Sequence, residues 1–248
     1  MKKIFITDYD GTLFQNGTVT EKDLEMIHSF RKKGGLFGIA TGRIVNSIRH
    51  EVEKYDIPVD FVVGVNGAML MDGSFNKLHS FDIEEDLALE VLSFLRDNGA
   101  IHYSISDGYN IHRQGLDTGT LRDFYVSFEE ILSNKVRGLY GKMQTRNDSF
   151  KICKAINNQY GNHIQALPNY NYLDMASSKT DKYHAIEKYL NLLDDEYEVA
   201  TAGDAHNDLK MLKNYKGYAM RHGDPVIVNQ IDRKVDTVGE AIEAFLNN

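Results

Sequence analysis

The order of apolar and amphipathic segments restricts the fold more than any other feature of this sequence. An apolar run ending at Ile6 is followed by a helical pattern, the apolar run LFGIA, a second helical pattern and a third apolar run, FVVGV. Short bounded runs rich in β-branched and aromatic residues are typical of buried strands. Strands that alternate with helices form a parallel sheet covered by helices, so we expect an α/β protein.

The first helical pattern has recognisable ends. Thr20 is a candidate N-cap with Asp23 three residues later, and the glycine pair Gly34 and Gly35 marks the end of the pattern. The alternation resumes near the C-terminus with the helix KYHAIEKYLNLL, the strand YEVATAG and a terminal helix. Between these parts, GAIHYSISDGYNIHRQ resembles a hairpin. We therefore predict a core domain of residues 1–80 and 174–248, with residues 81–173 forming an inserted second domain.

Composition narrows the functional classes. The 248 residues carry a formal net charge of −8, which argues against extended nucleic-acid binding, because phosphate neutralisation by Lys and Arg supplies that affinity. Apolar runs are too short for a membrane-spanning helix, and the N-terminus lacks a secretory pattern, so we expect a cytoplasmic protein with no membrane partner. The single cysteine, Cys153, fits a reducing compartment and is interpreted as an inert packed thiol.

Polar residues follow four of the predicted strands, as DYDGT, TGR, NGA and GDAHND. Open parallel sheets bind ligands beyond the carboxyl ends of their strands, so these residues are expected to meet at one edge. Asp8, Asp10 and Asp204 offer hard oxygen ligands, which favour Mg²⁺. A calcium loop is disfavoured, because Leu13 and Val19 occupy the positions where an EF-hand needs Gly and Glu.

This residue set suits phosphoryl transfer. Asp8 could attack phosphorus and form an aspartyl phosphate, while Asp10 could give a proton to the leaving alkoxide and take one from the attacking water. Thr41 offers a hydroxyl, Gly42 an unobstructed backbone amide and Lys182 a compact positive charge for the phosphate oxygens.

The motifs DYDGTLF, IATGR, KYHAI and GDAHNDLKML resemble the four ordered motifs of haloacid dehalogenase superfamily phosphatases, specifically the Cof-type branch, type IIB. The resemblance covers about the first 80 residues and the stretch from about Leu173 to the end. It implies a Rossmann-like parallel-sheet core, an inserted α/β cap that helps to choose the substrate, and magnesium-dependent hydrolysis of small phosphomonoesters, often sugar phosphates.

The resemblance also implies roles for individual residues. Asp8 is the nucleophile, and Asp10 is the acid/base whose backbone carbonyl also binds the metal. The phosphate is expected to be bound by Thr41, Gly42, Lys182 and Asn207. Asp204 is expected to ligate the metal, and Asp208 is expected to support the metal site.

The sequence departs from the family pattern in two places. Tyr183 stands where the family has glycine after the lysine, although the ungapped match still favours Lys182 over Lys179. The usual Met-Gly-Asn-Ala near the end is MRHGDP here, and we interpret His206 and His222 as peripheral.

Two alternatives stay open at this point. A phosphomutase of the same superfamily would pass the phosphoryl group to a sugar hydroxyl, and a signalling receiver would carry a phosphoaspartate as a switch. The long insert and the GDAHND loop argue against a receiver. The insert residues Asp107, Tyr109, His112 and Arg113 are interpreted as an ordinary polar hairpin rather than as part of a pocket.

Overall fold

The computed structural model describes residues 2–115 and 124–247, and its strands form two separate sheets. Eight strands make the larger one, the core sheet, in the order β13-β12-β11-β1-β2-β3-β4-β5. Five strands make the smaller one, the cap sheet, in the order β7-β6-β8-β10-β9. Within the described residues, no helix has the length and apolar character needed to cross a bilayer.

The core sheet is parallel over six of its strands, from β13 to β3. In β1, Phe5 packs into one apolar cluster, whereas Ile4 and Ile6 pack into a second cluster on the opposite face. Both faces are therefore covered, which explains the continuous apolar run at the start of the chain. The core strands are β1 (Lys2–Thr7), β2 (Leu36–Ala40), β3 (Phe61–Gly64), β4 (Met69–Asp72), β5 (Lys77–Ser80), β11 (Tyr197–Gly203), β12 (Lys216–Met220) and β13 (Arg233–Val235).

Two strands at one end of the core sheet were not predicted from the sequence. Strand β4 pairs antiparallel with β3, and β5 pairs antiparallel with β4. Hairpin strands need only a short turn, here closed by the side chain of Asp72, which accepts from the backbone N–H groups of Ser74 and Asn76. The α/β fold with a parallel core is confirmed, and the sheet is larger than the repeating pattern indicated.

Helices cover both faces of the core sheet. On one face α1 and α9 contribute Ile27, Phe30 and Phe245, and on the other α6 and α7 contribute Ile186 and Met211. The helices are α1 (Glu21–Lys32), α2 (Val45–Lys54), α3 (Glu85–Asp97), α4 (Phe128–Ser133), α5 (Arg146–Tyr160), α6 (Lys182–Leu190), α7 (Leu209–Asn214), α8 (Pro225–Val228) and α9 (Val238–Leu246).

The predicted start of α1 is confirmed. Thr20 is its N-cap, and the Thr20 hydroxyl accepts a hydrogen bond of 3.1 Å from the backbone N–H of Asp23. Helix α2 lacks such a cap, because Ile44 at its N-cap position has no polar side chain. Its first N–H, at Val45, instead donates to the carbonyl of Gly108 at 2.8 Å. That carbonyl belongs to the cap, so α2 begins at a contact between the two sheets.

The cap sheet is antiparallel and carries its own apolar core. Its strands are β6 (His102–Ser106), β7 (Ile111–Gly115), β8 (Gly138–Lys142), β9 (Ile164–Asn169) and β10 (Tyr172–Ser177). Helices α3 and α5 cover one face through Val91, Leu95 and Ile156. The sequence-based boundary between residues 173 and 174 falls inside β10, so we propose that the cap ends after Ser177. The described part of the predicted hairpin is β6 paired with β7.

Candidate active site

A buried ion-pair cluster lies at the carboxyl end of the core sheet. Asp8 follows β1 directly, and its backbone N–H continues the parallel pairing by donating to Ala202 at 2.9 Å. Lys182 is the first residue of α6, and its side chain is 1% exposed. The Lys182 ammonium donates to Asp8 Oδ1 at 2.6 Å and to Asp208 Oδ1 at 2.7 Å. Two segments 174 residues apart in sequence are thus joined by one lysine.

The loop after β11 supplies the other acids of this cluster. Asp208 Oδ2 accepts hydrogen bonds of 3.0 Å from the backbone N–H groups of both Asp204 and Ala205, which folds the loop back on itself. Asp204 Oδ1 accepts from the hydroxyl of Thr12 at 2.9 Å. The loop after β1 and the loop after β11 are therefore held together by carboxylate hydrogen bonds.

The donor set fits a hard divalent cation. Carboxylate oxygens of Asp8, Asp204 and Asp208 lie within 4.8 Å of one another. These three carboxylates face one ammonium group, so a divalent cation would neutralise the excess negative charge. Both oxygens of Asp208 already accept hydrogen bonds, which suits a supporting role, whereas Asp8 and Asp204 each have a second oxygen that could bind metal. Oxygen-only ligands favour Mg²⁺ over zinc.

Burial and mutual repulsion perturb these acids. Burial raises the pKa of Asp8 well above its ordinary value, with Asp208 and Asp204 adding to the rise and Lys182 opposing it. Burial and then Asp208 raise the pKa of Asp204 to about 6. For Lys182, burial alone would lower the pKa, but the charges of Asp208 and Asp8 outweigh it, so its pKa is raised. The Lys182 ammonium group therefore stays charged.

The carboxylate of Asp10 lies outside this cluster. It accepts two hydrogen bonds from Arg43, of 2.7 Å to Oδ2 and 2.6 Å to Oδ1. The Arg43 guanidinium also stacks over the Tyr9 ring at 4.8 Å and lies 3.3 Å from Glu51. Half of the Asp10 side chain is exposed, at 52%. The predicted metal contact of Asp10 is its backbone carbonyl, and that contact stays a prediction.

The other predicted phosphate ligands surround Asn66, which follows β3. The Thr41 carbonyl accepts from the Asn66 N–H at 3.0 Å, and the Thr41 hydroxyl accepts from the Arg43 N–H at 3.2 Å. A Cβ on Gly42 would lie 3.1 Å from the Asn66 amide nitrogen. The Asn207 amide donates to Asn66 Oδ1 at 2.9 Å. Thr41 thus contacts the backbone of Asn66, whereas Gly42 and Asn207 lie at its side chain.

The backbone around Asn66 is strained. Val65 and Asn66 both have φ of 51°, a left-handed conformation that is unusual for a β-branched residue such as Val65. The next residue, Gly67, has φ of 106°, and a Cβ there would come within 2.4 Å of the Asp181 carbonyl oxygen. Such conformations persist where surrounding structure enforces them, often at functional sites. In this conformation the Asn66 side chain accepts the hydrogen bond from Asn207.

Gly11 allows the first loop to reach the acids. Its φ is +82°, and a Cβ there would lie 2.6 Å from Asp204 Oδ2, closer than real Cβ contacts come. His222 donates from Nε2 to the Gly11 carbonyl at 2.8 Å, and therefore braces this loop from the C-terminal segment.

Other candidate residues form their described contacts outside the acid cluster. Lys179 is exposed, and the ring of Tyr183 packs beside Tyr215 with centroids 5.5 Å apart. Asp107 closes the turn of the β6–β7 hairpin by accepting from the N–H groups of Tyr109 and Asn110. In the same hairpin, His112 Nδ1 lies 3.0 Å from the Val126 carbonyl and Arg113 donates to the Ser104 hydroxyl at 3.2 Å. His206 packs edge-on against Phe150, 5.9 Å away.

Sequence reasoning missed Thr12, Arg43, Asn66 and Asp174 as parts of the site. Thr12, Arg43 and Asn66 lie within the strand-end motifs DYDGT, TGR and NGA, respectively. Asp174 had one signal, a lone carboxylate in the otherwise apolar strand YLDMA. An acid in such a strand needs a partner or a ligand.

Comparison with known proteins agrees with this geometry. The family model for haloacid dehalogenase-like hydrolases matches residues 5–241. A relative from Buchnera aphidicola subsp. Baizongia pistaciae, provisionally named a phosphatase, is 24% identical over 223 residues, covering 86% of this chain and 83% of its own. A relative from Mycoplasma capricolum of uncharacterised function is 22% identical over 247 residues, covering 90% of this chain and 92% of its own.

Solved structures share the fold over nearly the whole chain. A haloacid dehalogenase-like hydrolase from B. subtilis superposes with a TM-score of 0.85 at 18% identity, covering 97% of this chain and 99% of its own. A subclass IIB sugar phosphatase of the same superfamily superposes with a TM-score of 0.81 at 21% identity, covering 98% and 99%. The resemblance drawn from the four motifs is confirmed: this chain belongs to the haloacid dehalogenase-like hydrolase family.

Proposed function

We propose that this protein is a magnesium-dependent phosphatase that hydrolyses small phosphomonoesters, in particular sugar phosphates, through an aspartyl-phosphate intermediate on Asp8. The observation that carries the proposal is the buried cluster in which Lys182 bridges Asp8 and Asp208 beside Asp204. A nucleophilic carboxylate needs positive charge beside it to accept a dianionic phosphate, and Lys182 supplies part of that charge.

The bound metal would be held by Asp8, Asp204 and the backbone carbonyl of Asp10, and would contribute positive charge at the phosphate oxygens. The Thr41 hydroxyl, the Gly42 N–H, the Asn207 amide and Lys182 are the proposed protein contacts to the phosphate. These groups come from the segment after β2, the segment after β11 and the first residue of α6, at one end of the core sheet. Convergence of donors and positive charge is what stabilisation of a phosphoryl group requires.

The reaction has two displacements. An oxygen of Asp8 forms a bond to phosphorus while the bond to the leaving alkoxide breaks, and Asp10 gives that alkoxide its proton. Water then attacks the phosphorus of the aspartyl phosphate, Asp10 takes the proton of the water, and phosphate leaves Asp8. To donate a proton, Asp10 must free one of its two oxygens from Arg43, while the other oxygen can stay paired and keep the carboxyl group in position.

The proposed substrate is a small phosphorylated metabolite of the cytoplasm. The cap sheet approaches the same edge through Tyr140, whose hydroxyl donates to the Gly42 carbonyl at 3.4 Å. Such coverage excludes water from the phosphoryl group and limits the size of the leaving group. The sugar-phosphate assignment is supported by the likeness to a subclass IIB sugar phosphatase in fold.

The test is release of inorganic phosphate from p-nitrophenyl phosphate, with and without Mg²⁺. We expect turnover that requires the metal, no turnover in Asp8→Asn and normal turnover in the control Asp195→Asn, which alters a half-exposed carboxylate paired with Lys2. Near-normal turnover in a folded Asp8→Asn variant would remove Asp8 from its role. Transfer to a sugar acceptor without phosphate release would instead show a phosphomutase.

A further inference from the structure

One carboxylate of the cap, Asp174, lies beside the proposed phosphate ligands and has no part in the mechanism above. Its neighbours in β10, Leu173 and Met175, pack into the apolar core of the cap. Alternate residues of a strand point to opposite faces, so Asp174 lies on the other face of the cap sheet. It is directly opposite Tyr140 in β8, and Tyr140 is opposite Ser104 in β6. A polar row therefore crosses this face.

The polar face meets the core at Gly42 and Asn66. Asp174 Oδ2 accepts from the Asn66 amide at 3.5 Å, and a Cβ on Gly42 would lie 3.4 Å from the same oxygen. Tyr140 lies next to Asp174 in this row, and its hydroxyl donates a hydrogen bond to the Gly42 carbonyl. Asp174 is thus placed where the part of a substrate next to the phosphate would lie, if Gly42 binds that phosphate.

The hydrogen-bond partners of Asp174 are neutral amides. They are the side chains of Asn66 and Asn169, and burial raises the pKa of Asp174 to about 6. An ionised carboxylate can accept about four hydrogen bonds, so this group keeps capacity for further donors. Asn169 lines a cleft that also contains Asp204, one of the proposed metal ligands. Through Asn66 and Asn169, this carboxylate therefore contacts residues that lie next to the proposed phosphate ligands and next to the cleft of Asp204.

We propose that Asp174 is a specificity-determining residue that accepts a hydrogen bond from a hydroxyl group close to the phosphoester of a polyol or sugar phosphate. The same charge disfavours substrates that carry a second anionic group at this point. This inference rests on the proposed phosphatase function, because it assigns a role to the leaving group of that reaction.

A hydrogen-bond chain joins Asp174 to the phosphate side of the site. Asn66 donates to Asp174 and accepts from Asn207, so its side-chain amide can satisfy both groups in only one orientation. A hydroxyl bound at Asp174 would therefore have a fixed position relative to a phosphate bound at Asn207.

The experiment compares wild type, Asp174→Ala and Asp174→Asn on four substrates: a hexitol phosphate, its analogue lacking the hydroxyl next to the phosphorylated carbon, a hexitol bisphosphate, and p-nitrophenyl phosphate. The control variant is Asp86→Ala, which removes an exposed carboxylate of the cap helix α3. A thermal unfolding midpoint for each variant separates loss of fold from loss of recognition.

We expect Asp174→Ala to lower kcat/KM for the hexitol phosphate about 10- to 100-fold, to change the aryl phosphate less than about threefold, and to abolish the preference for the hydroxylated substrate. Asp174→Asn should raise kcat/KM for a hexitol bisphosphate relative to kcat/KM for the hexitol phosphate, because a negative charge is removed. Equal losses on all substrates, or no loss on any, would overturn the assignment. Absence of wild-type turnover of the aryl phosphate would overturn the proposed function, and this inference with it.

Discussion

Arg43 holds the carboxylate of Asp10 through two parallel hydrogen bonds of 2.7 and 2.6 Å, and Glu51 and the Tyr9 ring hold Arg43 in turn. Two parallel bonds fix the plane of the carboxylate as well as its position. The ion pair therefore fixes the position of the proposed acid/base, Asp10, which follows Tyr9 in the loop after β1.

Replacing Arg43 by lysine keeps the charge but loses the paired geometry. We expect Arg43→Lys to lower kcat about 10-fold and to leave KM for p-nitrophenyl phosphate within about twofold, because Asp10 acts on the leaving group rather than on binding. Steady-state kinetics check this, with Arg49→Lys, an exposed arginine of α2, as the control. A change confined to KM would contradict the role of Arg43 in positioning Asp10.

Removing Lys182 should damage stability as well as activity. The variant Lys182→Met leaves Asp8 and Asp208 buried without their shared cation, which typically costs about 3–5 kcal/mol in the free energy of unfolding. The loss should be smaller at pH 5 than at pH 8, because the raised pKa of Asp8 lets it take up a proton as pH falls. Urea unfolding at both pH values tests this, with the exposed Lys188→Met as the control.

Mg²⁺ should stabilise the wild type, by about 2.7 kcal/mol at 100 times its Kd. Asp204→Asn should lose most of this gain, because it removes a proposed ligand. Without metal, Asp204→Asn should be more stable than the wild type above about pH 6. The pKa of Asp204 is raised to about 6 in the folded protein, so its ionised form destabilises the fold, whereas the amide of the variant does not. Thermal unfolding with Mg²⁺ or EDTA measures both effects. An unchanged magnesium response in Asp204→Asn would exclude it as a ligand.

Asp174 should contribute to the pH dependence of the free energy of unfolding. Its pKa is about 6 in the folded protein against an ordinary value of 3.8, so unfolding releases its proton and wild-type stability falls as pH rises between these values. Asp174→Asn should remove about 1–3 kcal/mol of that fall. Urea unfolding from pH 4 to 7 measures it, with Asp86→Asn as the control. Parallel curves for wild type and Asp174→Asn would contradict the raised pKa.

Cys153 should be unreactive in the folded protein. Its side chain is 3% exposed, and burial raises its pKa to about 12, so almost no thiolate forms near pH 8. Alkylation by iodoacetamide, followed by mass spectrometry, should be at least about 100-fold slower in native buffer than in guanidinium chloride. Comparable rates in the two solvents would show that the thiol is accessible.

Features that depend on neighbouring residues in sequence could be predicted, and those that depend on distant pairing could not. Thr20 and Asp23 are three residues apart, and their cap forms as expected. The core strands and their polar ends carry local patterns, which parallel topology then gathers at one edge. Strands β4 and β5 are short and mixed in character, so their place in the core sheet depends on pairing with β3.

The same distinction applies within the site. The acids after β1 and β11 were identifiable because each follows an apolar strand. The orientation of Asp174 toward the site could not be identified from the sequence. It depends on the register of β10 against β8 and on the contact between the cap sheet and Gly42. The role of Asn66 depends on the strained φ at Val65, which no residue type signals.

The position of Asp174 has a mechanical consequence. Only seven residues separate it from Lys182, along the segment by which the chain returns from the cap to the core. A domain that rotates about its connecting strands moves its far end most and its pivot least. Arg146, which reaches across to Asp224, lies at the start of α5 and sits on a longer lever arm. Rotation of the cap would therefore break the contact of Arg146 first, while the carboxylate near the pivot keeps its distance from Gly42.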